Sequence, residues 1–222
     1  RDGIARAERA MPPWSLRAGG ADAPVGHPAA MFDYSGEYQP PALLEHYLTL
    51  VTESHIVRGT IHSRLRRLSD VLNQAEYDFL VVRNASLEEL GEGGVAARAK
   101  YAQVNLNSLL FAVADTVVDS QPEMRLQKAP EDALIVVPPF KLLGRIHVLS
   151  GSELFQALSE LTGRFIPLTD TTYWSDTLGT TPARAPMVAF NHARAHILAQ
   201  LQETDGTPQV RLADGADVWS ER

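Results

Sequence analysis

The sequence predicts an α+β fold made of two tandem copies of one small strand–short helix–strand–strand unit. Three observations support this prediction: short apolar runs rich in β-branched residues, segments with helical spacing, and a series of blocks that recurs in the second half. One such unit would bury little apolar surface, and isolated hairpins are only marginally stable in water. We therefore expect the two copies to form bent sheets or half-barrels within a single compact body.

The first unit is predicted to begin with a helix over residues 42–51, directly after Pro40 and Pro41. Proline is favourable in the first helical turn because its missing N–H has no partner there. Leu48 and Val51 belong to one apolar stripe of this segment, as the helical period requires. The leading element of the first unit is therefore expected to be helical.

The remaining elements are predicted from apolar runs and turn residues. In the first unit they are a β-like run, a helical turn, an apolar strand and a strand pair, over residues 55–62, 67–73, 79–87 and 101–113. In the second unit they are two strands, a helix, a strand and a closing segment, over residues 134–137, 141–148, 152–161, 165–168 and 187–198. Ser152 is a suitable N-cap for that helix and Gly163 a suitable end.

Self-similarity between the two halves is the strongest signal in the chain. Four blocks match in the same order: Gly59-Thr60-Ile61-His62 with Gly144-Arg145-Ile146-His147, residues 67–73 with 153–159, residues 79–84 with 165–170, and Val104-x-x-Asn107 with Val188-x-x-Asn191. Four ordered matches indicate an internal duplication. The glycine in each first strand suggests a bulge or a close approach of two backbones.

The domain boundaries follow from this repeat and from composition. Residues 1–30 are rich in Ala, Gly, Pro and Arg and are predicted to be a flexible arm. The first repeat unit, with its leading helix, is predicted over residues 31–118 and the second over residues 133–201. Residues 202–222 are predicted to be a polar tail.

The repeated pattern resembles an uncharacterised family of bacterial proteins. Its members carry a G-x-I-x strand, an R-x-S-D-x-L-N turn, an F-h-x-L-x-D strand and a strand with V-x-x-N, and the resemblance covers about residues 53–200. The first unit keeps the turn at residues 67–73, whereas the second keeps the strand end at Leu168-Thr169-Asp170. The resemblance implies architecture and no particular activity.

The pattern is also similar to that of Sm-like RNA-binding barrels, which run through a glycine strand, a D-x-x-x-N turn and an apolar strand with an acidic end. Here the turn is Asp70-x-x-Asn73, one residue shorter, and the arginine-glycine pair of those barrels is absent near Val104. This similarity implies an alternative function, RNA or nucleotide binding through the densest basic segment. That segment contains Arg58, Arg64, Arg66 and Arg67.

Composition excludes several classes of function. The chain has no cysteine, which excludes disulfides, thiolate nucleophiles and cysteine-ligated metals, and is compatible with a cytoplasmic location. Its net charge of −7 repels phosphate backbones, so nucleic acid is not the partner we expect. The apolar runs are shorter than the roughly 20 residues that span a bilayer.

Histidine spacing gives two possible chemical sites. His192 and His196 are four residues apart, the spacing of a two-histidine metal site on a helix, but no glutamate follows His192 directly. His62 and His147 match in the repeat, which suits a paired proton-handling or metal site, or two half-buried structural histidines. We prefer the structural alternative and predict no metal and no cofactor.

The short helix at residues 67–73 carries a Ser-Asp-Asn set that could suggest catalysis. We instead expect Ser69 or Asp70 to cap the helix and Asn73 to occupy a left-handed exit position. No nucleophile elbow, phosphate-binding loop or spaced set of carboxylates occurs in the sequence. A catalytic centre is therefore not predicted.

Aromatic and basic residues are the candidates for contact with a partner. The interaction candidates are Trp14, Tyr173, Trp174, Arg64, Arg66 and Arg67. Exposed aromatic side chains mark interfaces, although packing of Tyr173 and Trp174 on the local core is the alternative. The sequence thus predicts a non-catalytic scaffold, adaptor or accessory subunit with a protein partner or self-association. The alternatives are RNA or nucleotide binding and an enzyme with an unrecognised site.

Overall fold

The computed structural model describes residues 42–74, 78–91, 96–114, 128–149, 156, 159, 161–201, 203–204 and 207–208. These residues belong to one compact unit that runs from Pro41 to Arg222. The predicted arm over residues 1–30, which includes Trp14, lies outside the described residues. So do most of the helix predicted over residues 152–161 and most of the tail over 202–222.

The described residues form one ten-stranded antiparallel sheet and a separate small hairpin. In chain order the elements of the large sheet, with one helix, are β1 Leu44–Thr52, β2 His55–Ser63, α1 Leu68–Asn73, β3 Phe79–Glu89, β4 Ala96–Asn105, β5 Leu109–Ala114, β6 Lys128–Val137, β7 Phe140–Leu149, β8 Phe165–Trp174, β9 Ala183–Asn191 and β10 Ile197–Gln200. A 3₁₀ turn, His192–Arg194, joins β9 to β10. The hairpin strands are β11 Glu203–Thr204 and β12 Thr207–Pro208.

The predicted α+β class is wrong, because the described part of the chain is almost entirely β structure. The helix predicted over residues 42–51 is strand β1, which pairs with β2 on one side and with β5 on the other. The apolar residues of this segment fit both a helical and an alternating period. The segment forms a strand because it pairs with a neighbouring strand along both of its edges. The strands expected around Ile61, Val81, Ile146 and Ile166 are confirmed as β2, β3, β7 and β8.

Two halves of the chain use the same strand order. The N-terminal half, β1 to β5, is ordered β5-β1-β2-β3-β4, and the C-terminal half, β6 to β10, is ordered β10-β6-β7-β8-β9. The halves join where β5 pairs with β9, which makes one continuous sheet. The C-terminal half begins with β6 at Lys128, ahead of the predicted start at residue 133.

The same backbone irregularity occurs at matching places in the two halves. Pairing is interrupted at Gly59 between β2 and β3, and at Gly144 between β7 and β8. Asn84 and Asp170 lie on the facing strands with φ values of 49° and 50°, the left-handed region that few side chains favour. Asparagine and aspartate tolerate this region better than most residues. Each half therefore carries a bulge of the same construction.

Two apolar clusters form most of the core, and each includes residues from both halves. The first packs the N-terminal half around α1 and also includes Phe165 and Ala189 from the C-terminal half. The second packs the C-terminal half and also includes Phe111 and Val113 from β5. Because each half completes the core of the other, burial of apolar surface depends on the junction between them. None of the helices in the described part of the chain has the length and apolarity to cross a lipid bilayer.

We predict that Gly59→Ala destabilises the fold by about 1–3 kcal/mol, the usual cost of overpacking. A Cβ at residue 59 would lie 2.6 Å from Val82 Cγ1 and 2.7 Å from the Arg83 carbonyl oxygen, so the backbone would have to shift. Urea unfolding measures the change in free energy. Thr60→Ala, at the half-buried next residue, is the control and should cost less than about 1 kcal/mol. Equal losses in the two variants would contradict the close approach.

Candidate functional site

The candidate site is a strand-pairing surface, and the junction between β5 and β9 is an example of such pairing within the chain. Four residue pairs face each other across it: Phe111 with Phe190, Ala112 with Ala189, Val113 with Val188, and Ala114 with Met187. All but the half-buried Met187 are buried, and none is charged. Such a pairing combines main-chain hydrogen bonds with apolar burial on both faces of the sheet.

Asn191 fixes the end of this junction. Its side-chain Nδ2 donates to the carbonyl oxygens of Leu106 at 3.3 Å and Leu109 at 2.9 Å, in the turn between β4 and β5. Its Oδ1 accepts from the backbone N–H of Ala193 at 3.2 Å. The side chain is buried with its polar atoms paired, so it ties the last turn of the C-terminal half to that of the N-terminal half.

Asn73 connects α1 to the C-terminal half. Its amide donates to the carbonyl oxygen of Phe165 and accepts from the backbone N–H of the same residue, both at 2.8 Å. The Asn73 amide therefore makes the two hydrogen bonds to β8 that the backbone of a neighbouring strand would make. Strand β7 does not make them, because its pairing with β8 ends at Leu168. The expected capping roles are wrong: α1 has no side-chain cap at its N-terminus, and Asn73 does not adopt a left-handed conformation.

Arg164 of the C-terminal half contacts two residues of the N-terminal half near the junction. Its guanidinium donates to Asp78 Oδ1 at 2.8 Å and to Asn107 Oδ1 at 2.6 Å, and it lies over the Phe165 ring. Arg194 makes a further ion pair with Glu53 across the two halves. These groups are partly exposed, so they orient the halves more than they stabilise them.

The two outer edges of the sheet are the second part of the site. Strand β4 ends the sheet on one side and β10 on the other, and no described strand pairs with either outer edge. Beside the β4 edge, exposed apolar side chains of β3 and β4 share one face: Phe79, Val81 and Tyr101. Beside the other edge, Ile197 is 53% exposed. Open strand edges with exposed apolar residues are surfaces on which another chain can pair.

A charged cluster lies on β6, β7 and β8 of the C-terminal half. Arg145 Nη1 donates to Asp170 Oδ2 at 3.1 Å, and its Nε lies 3.6 Å from Asp132 Oδ1. The second distance is an ion pair beyond hydrogen-bond range, and Asp132 Oδ1 is buried with no hydrogen-bond partner. Both carboxylates thus face one guanidinium, an arrangement that neutralises charge rather than one that transfers protons.

His147 lies in the same region, and its pKa is lowered. Its Nε2 lies 2.9 Å from Thr169 Oγ1, and burial lowers the pKa of the ring below the ordinary 6.5. The Lys128 charge lowers the pKa further, Asp170 opposes this, and Arg145 adds a smaller lowering. The ring is therefore held neutral, as in a structural histidine.

Of the two aromatic residues predicted as interaction candidates, Trp174 lies in the core and Tyr173 packs against it. Trp174 is 3% exposed and packs against Leu143. Tyr173 is half-buried, and its ring meets the edge of Phe111 with centroids 5.3 Å apart. This is the core-packing alternative that the sequence left open.

The basic candidates lie on the surface. Arg64, Arg66 and Arg67 occupy the connector between β2 and α1, and all three are exposed. Within the described residues none of their guanidinium groups has an ion-pair or hydrogen-bond partner. Arg58 lies apart from them on β2 and pairs with Glu88 at 2.7 Å.

The histidine pair does not share a helix. His192 begins the 3₁₀ turn, with its ring edge-to-face with the Phe190 ring, whereas His196 lies beyond the turn, where its backbone N–H donates to the carbonyl oxygen of Val136. Among the residues that the structure describes, no group of three His, Asp or Glu residues is placed to hold a metal ion. His62, the match of His147, is exposed and lies 4.0 Å from Glu45.

Comparison with known proteins identifies no relative, since no protein-family model, no curated protein and no solved structure matches the chain.

We predict that Asn73→Ala lowers the free energy of unfolding by about 1–3 kcal/mol, because two hydrogen bonds to Phe165 are lost. Gln74→Ala is the matched control, since Gln74 is the exposed next residue and its side chain has no hydrogen-bond partner among the residues that the structure describes. Urea unfolding of both variants and of the wild type measures the difference. Equal stability of the two variants would show that the Asn73 contacts do not hold the halves together.

We also predict a pH dependence of stability that originates at His147. A histidine whose folded pKa is lowered stabilises the fold above its unfolded pKa, and this contribution is lost as the pH falls through 6.5 towards the folded value. The wild type should therefore lose more stability between about pH 8 and about pH 5 than His147→Gln does. Parallel pH profiles of the two proteins in urea unfolding would contradict the assignment.

Proposed function

We propose that this chain is a non-catalytic interaction or assembly protein whose binding surfaces are the two outer edges of its sheet. The observation that carries the proposal is the pair of open edges, each with exposed apolar residues beside it, Phe79, Val81 and Tyr101 at one and Ile197 at the other. Soluble proteins usually protect such edges with charges, prolines or a covering element. Strand β4 carries such charges at Arg98 and Lys100, but its stretch from Tyr101 to Val104 has none and is therefore able to pair with another chain.

The junction between β5 and β9 supports the proposal from inside the chain. There two strand edges of the chain pair through four pairs of uncharged residues. The side chains of Asn191 and Arg164 add hydrogen bonds between the two halves next to this contact. The same kind of contact would give a partner both main-chain hydrogen bonds and apolar burial.

RNA binding has narrower support in the structure. Arg64, Arg66 and Arg67 are exposed and have no ion-pair partner within the described ranges, as a phosphate contact requires, but Arg58 is paired with Glu88. Three cations against a net charge of −7 provide a weak electrostatic attraction for a polyanion. RNA binding is therefore an alternative outcome of the test rather than a second proposal.

The test is sedimentation velocity of the purified full chain over a wide concentration range, together with affinity purification of the tagged chain from its native host. We expect either self-association or a protein partner, and the loss of that contact in Tyr101→Asp. A chain that stays monomeric at every concentration and retains no protein would overturn the proposal. A salt-dependent shift of single-stranded RNA, lost when Arg64, Arg66 and Arg67 are replaced by Ala, would favour the alternative.

A further inference from the structure

We propose that the partner is a second copy of this chain, and that β10 of one copy pairs with β4 of the next in the register of the internal β5–β9 junction. This inference rests on the proposed function and specifies its partner. The two halves match in the spacing of their equivalent residues. Gly59 and Gly144 are 85 residues apart, and Phe79 and Phe165 are 86 apart, at equivalent places in the sheet.

Strand pairing extends this match to the edges. Phe79 pairs with Asn105 and Phe165 pairs with Asn191, so β4 is the counterpart of β9. Phe111 pairs with Val51 of β1, and Ile197 pairs with Val136 of β6. β10 is therefore the counterpart of β5. The two strands that meet inside the chain have their counterparts at its two open edges.

Burial differs between these counterparts as the proposal requires. Phe165 is 1% exposed because α1 and the core of the N-terminal half cover it, whereas its counterpart Phe79 is 46% exposed. The same contrast holds for four further pairs, with the more exposed residue first: Val81 and Pro167, Tyr101 and Met187, Gln103 and Ala189, Asn105 and Asn191. The N-terminal half thus exposes the face that its counterpart buries, and pairing of β10 with β4 would place the C-terminal half of another copy beside that face, as the N-terminal half lies beside Phe165.

The internal register gives the register between copies. Ile197 would face Val104, Leu198 would face Gln103, Ala199 would face Ala102, and Gln200 would face Tyr101. None of these residues is charged, so two copies of an acidic chain can approach here without direct charge repulsion. Both faces of the contact would bury apolar groups, as the internal junction does.

A polar contact completes the analogy. Asn191 binds the carbonyl oxygens of Leu106 and Leu109 in the turn after β4. Its counterpart Asn105 is exposed, and its Oδ1 accepts from the N–H of Asn107 just as that of Asn191 accepts from Ala193. In the proposed contact the Asn105 amide donates to the carbonyl oxygens of His192 and Ala195 in the other copy. This interface is head to tail, so it adds copies in one direction.

The absence of native cysteine allows a direct test of the register. Two full-length single-cysteine variants, Gln200→Cys and Tyr101→Cys, are mixed and oxidised, and disulfide-linked dimers are measured on a non-reducing gel. Facing residues of an antiparallel pair lie about 4.5–5.5 Å apart at Cβ, close enough for a disulfide after small adjustments. We expect at least tenfold more dimer from the mixture than from either variant alone.

Lys100→Cys replaces Tyr101→Cys as the matched control, because the neighbouring side chain points to the opposite face of the strand. We expect its mixture with Gln200→Cys to give the background level. Equal cross-linking by residues 100 and 101 would overturn the register. Assembly of the wild type without the Gln200–Tyr101 cross-link would overturn this inference and leave the proposed function intact.

Charge substitution tests the edges without cross-linking. Tyr101→Asp should weaken self-association at least tenfold in sedimentation velocity, whereas Tyr47→Asp should not. Tyr47 is equally exposed, at 53%, but lies on β1, away from both edges, and its counterpart in the C-terminal half is Asp132. Circular dichroism of both variants establishes that they are folded, and Gln200→Asp repeats the test from the other edge.

Mixing the two edge variants separates the possible outcomes. Tyr101→Asp keeps an intact β10 and Gln200→Asp keeps an intact β4, so the mixture should form a dimer and nothing larger. Growth beyond the dimer, or no dimer at all, would overturn the head-to-tail arrangement. A wild-type chain that is monomeric yet retains a host protein would also overturn this inference while supporting the proposed function. A monomer that retains nothing would overturn both.

Discussion

The pairing of β5 with β9 is the contact on which the rest of the structure depends. It turns two small sets of strands into one sheet, and it lets Phe165 and Ala189 enter the apolar cluster of the other half. The equivalent Phe79 is 46% exposed, because no described element packs over it as α1 packs over Phe165. Some apolar residues of the C-terminal half are therefore buried by the N-terminal half. Small strand units need such neighbours to bury their apolar faces.

The sequence predicts the features that local chemistry determines and misses those that need the whole sheet. Gly59 and Gly144 indicate a close backbone approach because a Cβ would clash there, and the structure has an irregularity at both. The segment that forms β1 fits two periods equally well, so only its pairing with β2 and β5 makes it a strand. Asn73 suggests a helix cap locally, yet its partner Phe165 lies 92 residues away.

The candidate site shows the same division between local and distant information. Trp174 looked available to a partner, but exposure in a sheet depends on which face is covered, and that face is packed against Leu143. The open edges at β4 and β10 could not be identified before the strand order was known. The asparagines of the last repeated block were visible in the sequence, but strand pairing matches Asn191 with Asn105 rather than with Asn107.

The differences between the two halves follow from their different surroundings. The backbone features recur, including the left-handed Asn84 and Asp170, because both halves need the same bulge. The side chains at the junction differ where the surroundings differ: Met187 and Ala189 lie on the covered face, whereas the face beside the open edge, with Tyr101 and Gln103 at the equivalent positions, must also tolerate water. Tyrosine and glutamine at residues 101 and 103 meet that requirement, since each combines contact area with a polar tip. The face beside β4 therefore combines apolar contact area with polar groups that water can solvate.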